Sequence, residues 1–433
     1  MPSKVRPHTE AVLMRFNAFK KLIPMHLLLT ISLLPVVCVA PAAASPIFAV
    51  SSLGTMGGWT SGAAGINSSG QATGWAMNRA WRVGAFFHDG SVMTSPGALP
   101  GTGASFGGGI NDAGQIAGTS FAGWRTRATV WSGGRATDIG TLGGNQASAS
   151  DINNAGAVVG GSVTSHGRMH AYRYHDGDWD DIGEQFGHGW SSAFGINNSG
   201  QVTGYGQTSS GTFRGFLWDE NEGLTMLGTL GGNSSYGLDI NSNGWVTGHS
   251  RTADDRLHAF LSDGDSMTDL GTLGGSTSYA HGINDAADVV GYSWRAGDRR
   301  SSAFLYSNGT MLDLNDLIPA TSGWRLLRAY DINNAGQIVG TGLYGGRQLA
   351  FRLDPIPTVS NPEPGTTSLF LLGGIFLTLV GLRRRKSQPG LQRRSSDTGV
   401  RRKQTEQSRF SSRILFTGRC CCFRQLSSSR LTK

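Results

Sequence analysis

Short runs of alternating apolar and polar residues follow one another along this chain, and the order in which they come repeats. In one stretch the β-prone run "SMTDLGTL" (266–273) ends at Gly274-Gly275, and "TSYAHGIN" (277–284) alternates up to its Asn. "DVVGYSW" (288–294) follows a short turn, "SAFLY" (302–306) follows a polar loop, and "SNG" (307–309) turns the chain again. A period of two, with turn signals about every ten residues, predicts four short strands and no helix. The same grammar occurs seven times. It is marked by Ile66-Asn67, Ile110-Asn111, Ile152-Asn153, Ile196-Asn197, Ile240-Asn241, Ile283-Asn284 and Ile332-Asn333, spaced 44, 42, 44, 44, 43 and 49 apart. A Gly lies seven positions after each of these Asn: Gly74, Gly118, Gly160, Gly204, Gly248, Gly291 and Gly340. Such a period means stacked or radially arranged units.

The Asn begins a turn. It is followed by Asn, Asp or Ser, then by Ala, Ser or Asn, and in six units by Gly70, Gly114, Gly156, Gly200, Gly244 or Gly336. Short polar side chains bond to their own backbone and seed turns. Gly supplies the left-handed position that closes a hairpin. The sixth unit has Ala287 there, which costs about 1 kcal/mol if that backbone is left-handed. Asp-x-Asn also suggests a calcium loop, but that needs several converging carboxylates, and the Asp occurs only at Asp151, Asp239 and Asp331. Turn chemistry is the better account.

Seven four-stranded units of about 44 residues predict an all-β fold, a seven-bladed β-propeller over residues 45–354. The alternative is a β-solenoid, whose repeats are usually shorter. The ends favour the propeller. "PIFAVSSLGTMGG" opens the chain as the first strand of a unit, "RQLAFRLD" closes it as the third, and the last unit lacks its "LGTLGG" strand. The opening strand supplies the missing one, which removes two raw sheet edges.

Charge changes the picture once it is divided. The chain holds 37 basic and 29 acidic residues, a net of +8. Five basic and one acidic lie in 1–44, and fifteen basic and two acidic in 383–433, which leaves 17 and 26 for residues 45–382, a net of −9. An acidic body disfavours nucleic acid and anionic polymers. Its four Cys are Cys38 and Cys420, Cys421 and Cys422, so residues 45–382 have no disulfide and rely on core burial.

The two ends carry addresses. Basic residues precede the apolar run Leu27–Ala40, and "APAAAS" offers cleavage before Ser45, so residues 1–44 read as a signal peptide. Residues 355–365 form a linker holding Pro362, Glu363 and Pro364. Residues 366–386 combine an apolar transmembrane helix with Arg383, Arg384, Arg385 and Lys386, positive charge that holds this end in the cytoplasm. This order closely resembles the bacterial PEP-CTERM sorting signal. The resemblance implies processing by an exosortase, with membrane attachment through the helix beforehand, and delivery outside a Gram-negative cell, typically one making exopolysaccharide. Unprocessed protein would stay anchored in the inner membrane. The chain departs from that pattern because 47 residues follow Lys386; residues 387–433 are polar and basic and read as a disordered tail.

The body also resembles a family. "HAFLS" (258–262), "SAFLY" (302–306), "HAYRY" (170–174) and "RGFLW" (214–218), with "LGTLGG" (227–232, 270–275) and "IGTLGG" (139–144), match the HAF extracellular repeat. The family implies an extracellular β-rich protein and carries no catalytic residues to transfer. The second unit ("ALPGTGASFGGG") and the fourth ("IGEQFGHG") depart from the motif and predict irregular blades.

The chemistry-bearing residues form no recognised catalytic pattern. There is no H-E-x-x-H, no C-x-x-C and no G-x-S-x-G in strand–turn–helix context. His170 and His258 occupy a repeat position, whereas an enzyme site is asymmetric. No cofactor or metal is expected. Eleven Trp are spread over the body, and packing between blades accounts for most. Trp59, Trp190 and Trp324, just before the "IN" strands, are the candidates for a platform under sugar rings. The expected function is a secreted or cell-surface non-enzymatic protein associated with exopolysaccharide or matrix. The alternative is a secreted propeller enzyme acting on glycans, a lyase or hydrolase.

Overall fold

The computed structural model describes residues 47–357, and these form seven four-stranded antiparallel sheets. The signal peptide, the Pro-Glu-Pro motif, the apolar helix with its Arg cluster and the basic tail lie outside the described residues. Among the described residues no helix is long and apolar enough to cross a membrane. Blade 1 comprises Gly57–Ile66, Ala72–Asn78, Val83–His88 and Met93–Thr94 in spatial order. The innermost strands of blades 2 to 6 are Ala104–Ile110, Gly143–Ile152, Ser191–Ile196, Gly231–Ile240 and Gly274–Ile283.

Blade 7 is made from both ends of the body. Trp324–Ile332, Ile338–Tyr344 and Arg347–Pro355 are its three inner strands, and Phe48–Gly54 adds the outermost. Phe48 stands opposite Pro355 and Val50 opposite Leu353, and Phe48 and Leu53 are buried. The seven-bladed propeller and its closure are therefore as the sequence predicted.

One expected strand is not a strand. In "SMTDLGTL" only Met267–Asp269 forms a strand, as the outer edge of blade 5, and Leu273 makes a single bridge to Arg295. "LGTL" carries the chain back to the axis of the next blade. Thr272 Oγ1 donates to the Gly275 carbonyl (2.9 Å) and accepts from the Gly274 N–H (3.2 Å), while the Leu273 N–H reaches Ser293 Oγ (2.9 Å). A connector crossing from edge to axis cannot stay in the ladder, so its backbone groups bond to hydroxyls instead.

The "HAF" run owes its composition to the neighbouring blade. The N–H of Ala85, Ala171, Ala259 and Ala350 donates to Oγ of Ser105, Ser191, Ser278 and Ser61, each at 2.9 Å and each in the next blade. A larger side chain than Ala would not fit: these Ala are buried. The aromatic that follows (Phe86, Tyr172, Phe216, Phe260, Phe304, Phe351) is fully buried. Blade 2 has Thr129 instead, and Trp131 fills the space. The recurrent Gly makes room for this ring. A Cβ on Gly248 would strike the Tyr236 carbonyl and crowd the Phe260 ring.

The turns behave as read. Ala287 is left-handed, with φ 62°, where its counterparts are Gly. Ala287→Gly should therefore raise stability by about 1 kcal/mol in denaturant unfolding. The fourth unit's irregularity is a 3-10 helix, Ile182–Phe186, in place of the connector.

Candidate functional site

The seven Asn do more than seed turns. Asn153 Oδ1 accepts from the N–H of Ala155 (3.1 Å) and Ala157 (2.9 Å), which closes its own turn. Its Nδ2 donates to the Asn197 carbonyl in the next blade (3.1 Å). The same stitch joins Asn67 to Asn111 (3.0 Å), Asn111 to Asn153 (3.0 Å), Asn197 to Asn241 (3.0 Å), Asn241 to Asn284 (3.0 Å) and Asn333 to Asn67 (2.9 Å). Asn284 instead turns its amide to Asp288 (3.2 Å). All seven Asn are buried. Only a side chain with both an acceptor and a donor serves the turn and the neighbour together. The result is a belt around one end of the axial channel.

Just inside the belt lies a ring of alternating Asp and Gly. In chain order it reads Gly65, Gly109, Asp151, Gly195, Asp239, Gly282 and Asp331. Each Asp clamps two blades. Asp151 accepts from the N–H of Ile152 (2.8 Å) and Ile196 (3.1 Å), Asp239 from Ile240 (2.8 Å) and Ile283 (2.9 Å), and Asp331 from Ile332 (2.7 Å) and Ile66 (2.8 Å). A Cβ on Gly109, Gly195 or Gly282 would collide with the Asp of the following blade. Alternation cannot close on an odd number, so two Gly meet between blades 1 and 2.

These three carboxylates are part-covered at the channel wall, and the surrounding blades withhold bulk water. Burial pushes Asp151 up to about 6 against its two N–H bonds. Burial, together with the charge of Asp151, pushes Asp331 up to about 7. Asp239 is raised by burial and by both other Asp. Burial also holds His249 down to about 4 and His281 down to about 3. The folded state thus binds carboxylate protons more tightly than the unfolded chain, so that stability is complete below about pH 4 and is lost as pH rises through 6 to 7. The two His act oppositely, losing stability as pH falls from about 6.5 towards 3 to 4. Above pH 6.5 only the carboxylates matter. The melting temperature should fall between pH 6.5 and 8, and Asp331→Asn should flatten that fall; a rise over this interval would contradict the assignment.

A small cavity of about 290 Å³ lies against the Asp ring. One side is aromatic, with Phe194, His281 and Tyr330; the other is Ala64, Gly65, Gly108, Gly109 and Ser150. The aromatic side continues outward as a chain of ring contacts, Phe194–Tyr205–Tyr236–His249–Tyr279–Tyr292–His281–Tyr330, each at 4.9 to 5.8 Å. It braces blades 4 to 7.

The opposite end of the ring presents different groups. Inner strands start there, and the hairpins between second and third strands turn there. Trp59 is 57 % and Trp190 60 % exposed, at the starts of the blade 1 and blade 4 inner strands. Trp81 and Trp124, in hairpins of blades 1 and 2, are each 67 % exposed. The sequence reading passed over these two, although "NRAWR" and "AGWRT" place each Trp within a polar turn. Trp324 differs from Trp59 and Trp190. It stacks on Tyr344 (5.0 Å) and meets Phe351 edge-on (6.2 Å), packed against the blade 7 core. The three residues are thus not brought into one platform. Trp59 and Trp190 are available on one face, three blades apart, and Trp324 serves as packing.

The repeat-position His also have structural partners. His170 Nδ1 contacts both oxygens of Asp181 (2.8 and 2.9 Å), and His258 Nδ1 both of Asp269 (3.0 and 2.8 Å). Arg127 pairs with Asp138 in the same way (2.9 Å). Each pair spans eleven residues and ties the third strand of a blade to its outer edge. Among the described residues no three His, Cys, Asp or Glu are grouped to hold a metal ion.

Residues 227–351, from the end of blade 4 into the third strand of blade 7, match a family model described as "Protein of unknown function (DUF3466)". No curated protein matches the chain. Several solved structures are similar to it. TolB from Acinetobacter baumannii is 13% identical over 51% of this chain and 53% of that one, TM-score 0.37, so that the chain spans about half of its length. The structure of YCF48 bound to D1 peptide is 12% identical over 73% of this chain and 100% of that one, TM-score 0.43. The BP39L lectin from Burkholderia pseudomallei is 10% identical over 72% of this chain and 98% of that one, TM-score 0.38.

Proposed function

We propose that this protein is an exported, non-catalytic repeat protein of the bacterial surface or matrix that holds an extracellular glycan on the propeller face opposite the Asn belt. The observation that carries the reading is the group of exposed Trp on that face. Trp59, Trp81, Trp124 and Trp190 leave most of their surface in solvent. Core packing does not account for them. Rings that stand in water with one apolar face suit stacking on sugars.

Other features support the reading. The His–Asp and Arg–Asp pairs recur at one repeat position in blades 2, 3 and 5, as structural ties do and a single catalytic centre does not. The acidic, disulfide-free body and the resemblances to the HAF repeat and the PEP-CTERM signal fit export, exosortase processing and an extracellular glycan partner rather than nucleic acid.

A glycan array and a turnover assay, both on the same preparation, test this. Trp190→Ala should lower glycan binding with stability within about 0.5 kcal/mol of wild type, as for ordinary surface positions. Trp59→Ala should do so within about 1 kcal/mol, since it also removes the ring over which Arg347 lies at 5.1 Å. Trp324→Ala should instead destabilise clearly, though by less than the loss of about 3–5 kcal/mol for a fully buried aromatic, because its indole is half-buried. Unchanged binding in both surface variants, or turnover of a bound glycan, would overturn the proposal.

A further inference from the structure

At one of the seven junctions the repeat leaves side chains out. Ten residues before the inner-strand Ile, five of the seven units place an apolar side chain in the gap between neighbouring blades, and blade 7, which has Ser322 there, packs Leu317 and Ile318 of its longer connector into its core instead. Met56, Leu142, Phe186, Leu230 and Leu273 each pack there against a core cluster. The matching residue of blade 2 is Pro100, which is exposed. The pair that ties third strand to outer edge in blades 2, 3 and 5, as Arg127 with Asp138 or His170 with Asp181, is replaced in blade 1 by the two smallest residues found at those positions, Gly84 and Ser95. These omissions coincide. They leave a cavity of about 760 Å³ between blades 1 and 2, with Gly84, Ser95 and Ser105 in its wall. That volume lies within the usual range of about 300–1,000 Å³ for small-ligand sites.

The groups around it are not neutral. Arg79 and Arg82 line the cavity, and no carboxylate does. Neither Arg forms an ion pair among the described residues. Both come from the hairpin Asn78–Arg82, in which Trp81 stands between them. Trp81 is left-handed, with φ 60°, where the matching hairpins of blades 3 and 4 have Gly167 and Gly211. A bulky residue in that conformation is an outlier. Its indole is 67 % exposed, so no core contact compensates the strain. Strain of this kind gathers at ligand sites.

We propose that this cavity binds a carboxylate-bearing sugar residue of an extracellular polysaccharide, a proposal that rests on the glycan reading above. Arg79 and Arg82 receive the carboxylate, for which a guanidinium is the matching planar donor. Trp81 stacks on the adjoining sugar ring. The acidic body does not forbid this. Charges further than about 8 Å are largely screened at physiological ionic strength, so the nearby guanidinia dominate.

The test is calorimetric titration of the full chain with tetramers of galacturonate, glucuronate and mannuronate, with the methyl ester of each, and with a neutral glucose tetramer. At least one uronate tetramer should bind, and its ester should bind at least tenfold more weakly. The double variant Arg79→Ala/Arg82→Ala should weaken binding at least tenfold. Trp81→Gly should do the same while melting at or above the wild-type temperature, because Gly relieves the left-handed strain. No uronate binding, equal binding of acid and ester, or unchanged affinity in these variants would overturn the cavity assignment. If the neutral tetramer alone binds, and is lost on Trp59→Ala or Trp190→Ala, the cavity assignment falls while the glycan reading stands. If no glycan binds in the titration or on the array, both fall.

Discussion

Deleting Phe48–Gly54 should bring the propeller close to unfolding at room temperature. That strand is the outer edge of blade 7, paired along Arg347–Pro355. Two of its side chains, Phe48 and Leu53, are buried in different core clusters, one within blade 7 and one against blade 1. Truncating a buried Phe costs about 3–5 kcal/mol and a buried Leu about 2–5 kcal/mol. The sum is comparable with the whole stability of a typical domain, about 5–15 kcal/mol. The deletion also bares the edge of Arg347–Pro355, an invitation to aggregate. Thermal unfolding by circular dichroism gives the measurement. A melting temperature within a few degrees of wild type would show that the ring does not depend on this closure.

The second large effect is expected at the Asn belt. Asn153→Asp keeps the oxygen that closes the turn and removes the amide that reaches Asn197. A carboxylate oxygen then faces a carbonyl oxygen in a buried site, which should cost about 2–4 kcal/mol at pH 7, the scale of a buried unpaired group near a charge. At pH 4 a protonated Asp can donate again, and the gap from wild type should narrow. The exchange Asn284→Asp/Asp288→Asn, which keeps a donor facing an acceptor at that turn, is the internal control, since Asn284 bonds to Asp288 and does not stitch to the next blade. It should cost less. Equal losses at 153 and 284 in denaturant unfolding would mean that the turn, and not the belt, is what matters.

Much of this was legible because its physics is local. Strand alternation, the left-handed turn position and the Ile-Asn period depend on residues a few places apart, and they gave seven blades, their hairpins and the strained Ala287. The closure followed from counting strands at the two ends. "LGTL" was misread as a strand because Leu and Thr suit extended backbone, and only the need to cross from edge to axis bends it, while the Gly-Gly that follows begins the next inner strand. The Asn were legible as turns and not as a belt. Their second partner lies 42 to 44 residues away for most and 266 away for Asn333, and only the radial arrangement sets those residues side by side. The alternation of Asp and Gly around the axis has the same origin, because a side chain in one blade excludes a Cβ in the next. The exposure of Trp59 and Trp190 and the packing of the half-buried Trp324 also waited on tertiary structure, since all three occupy similar places in the sequence. The cavity between blades 1 and 2 was hardest of all to foresee. It is made by side chains that are absent at three separate places, Gly84, Ser95 and Pro100, and only tertiary structure makes three local absences into one space.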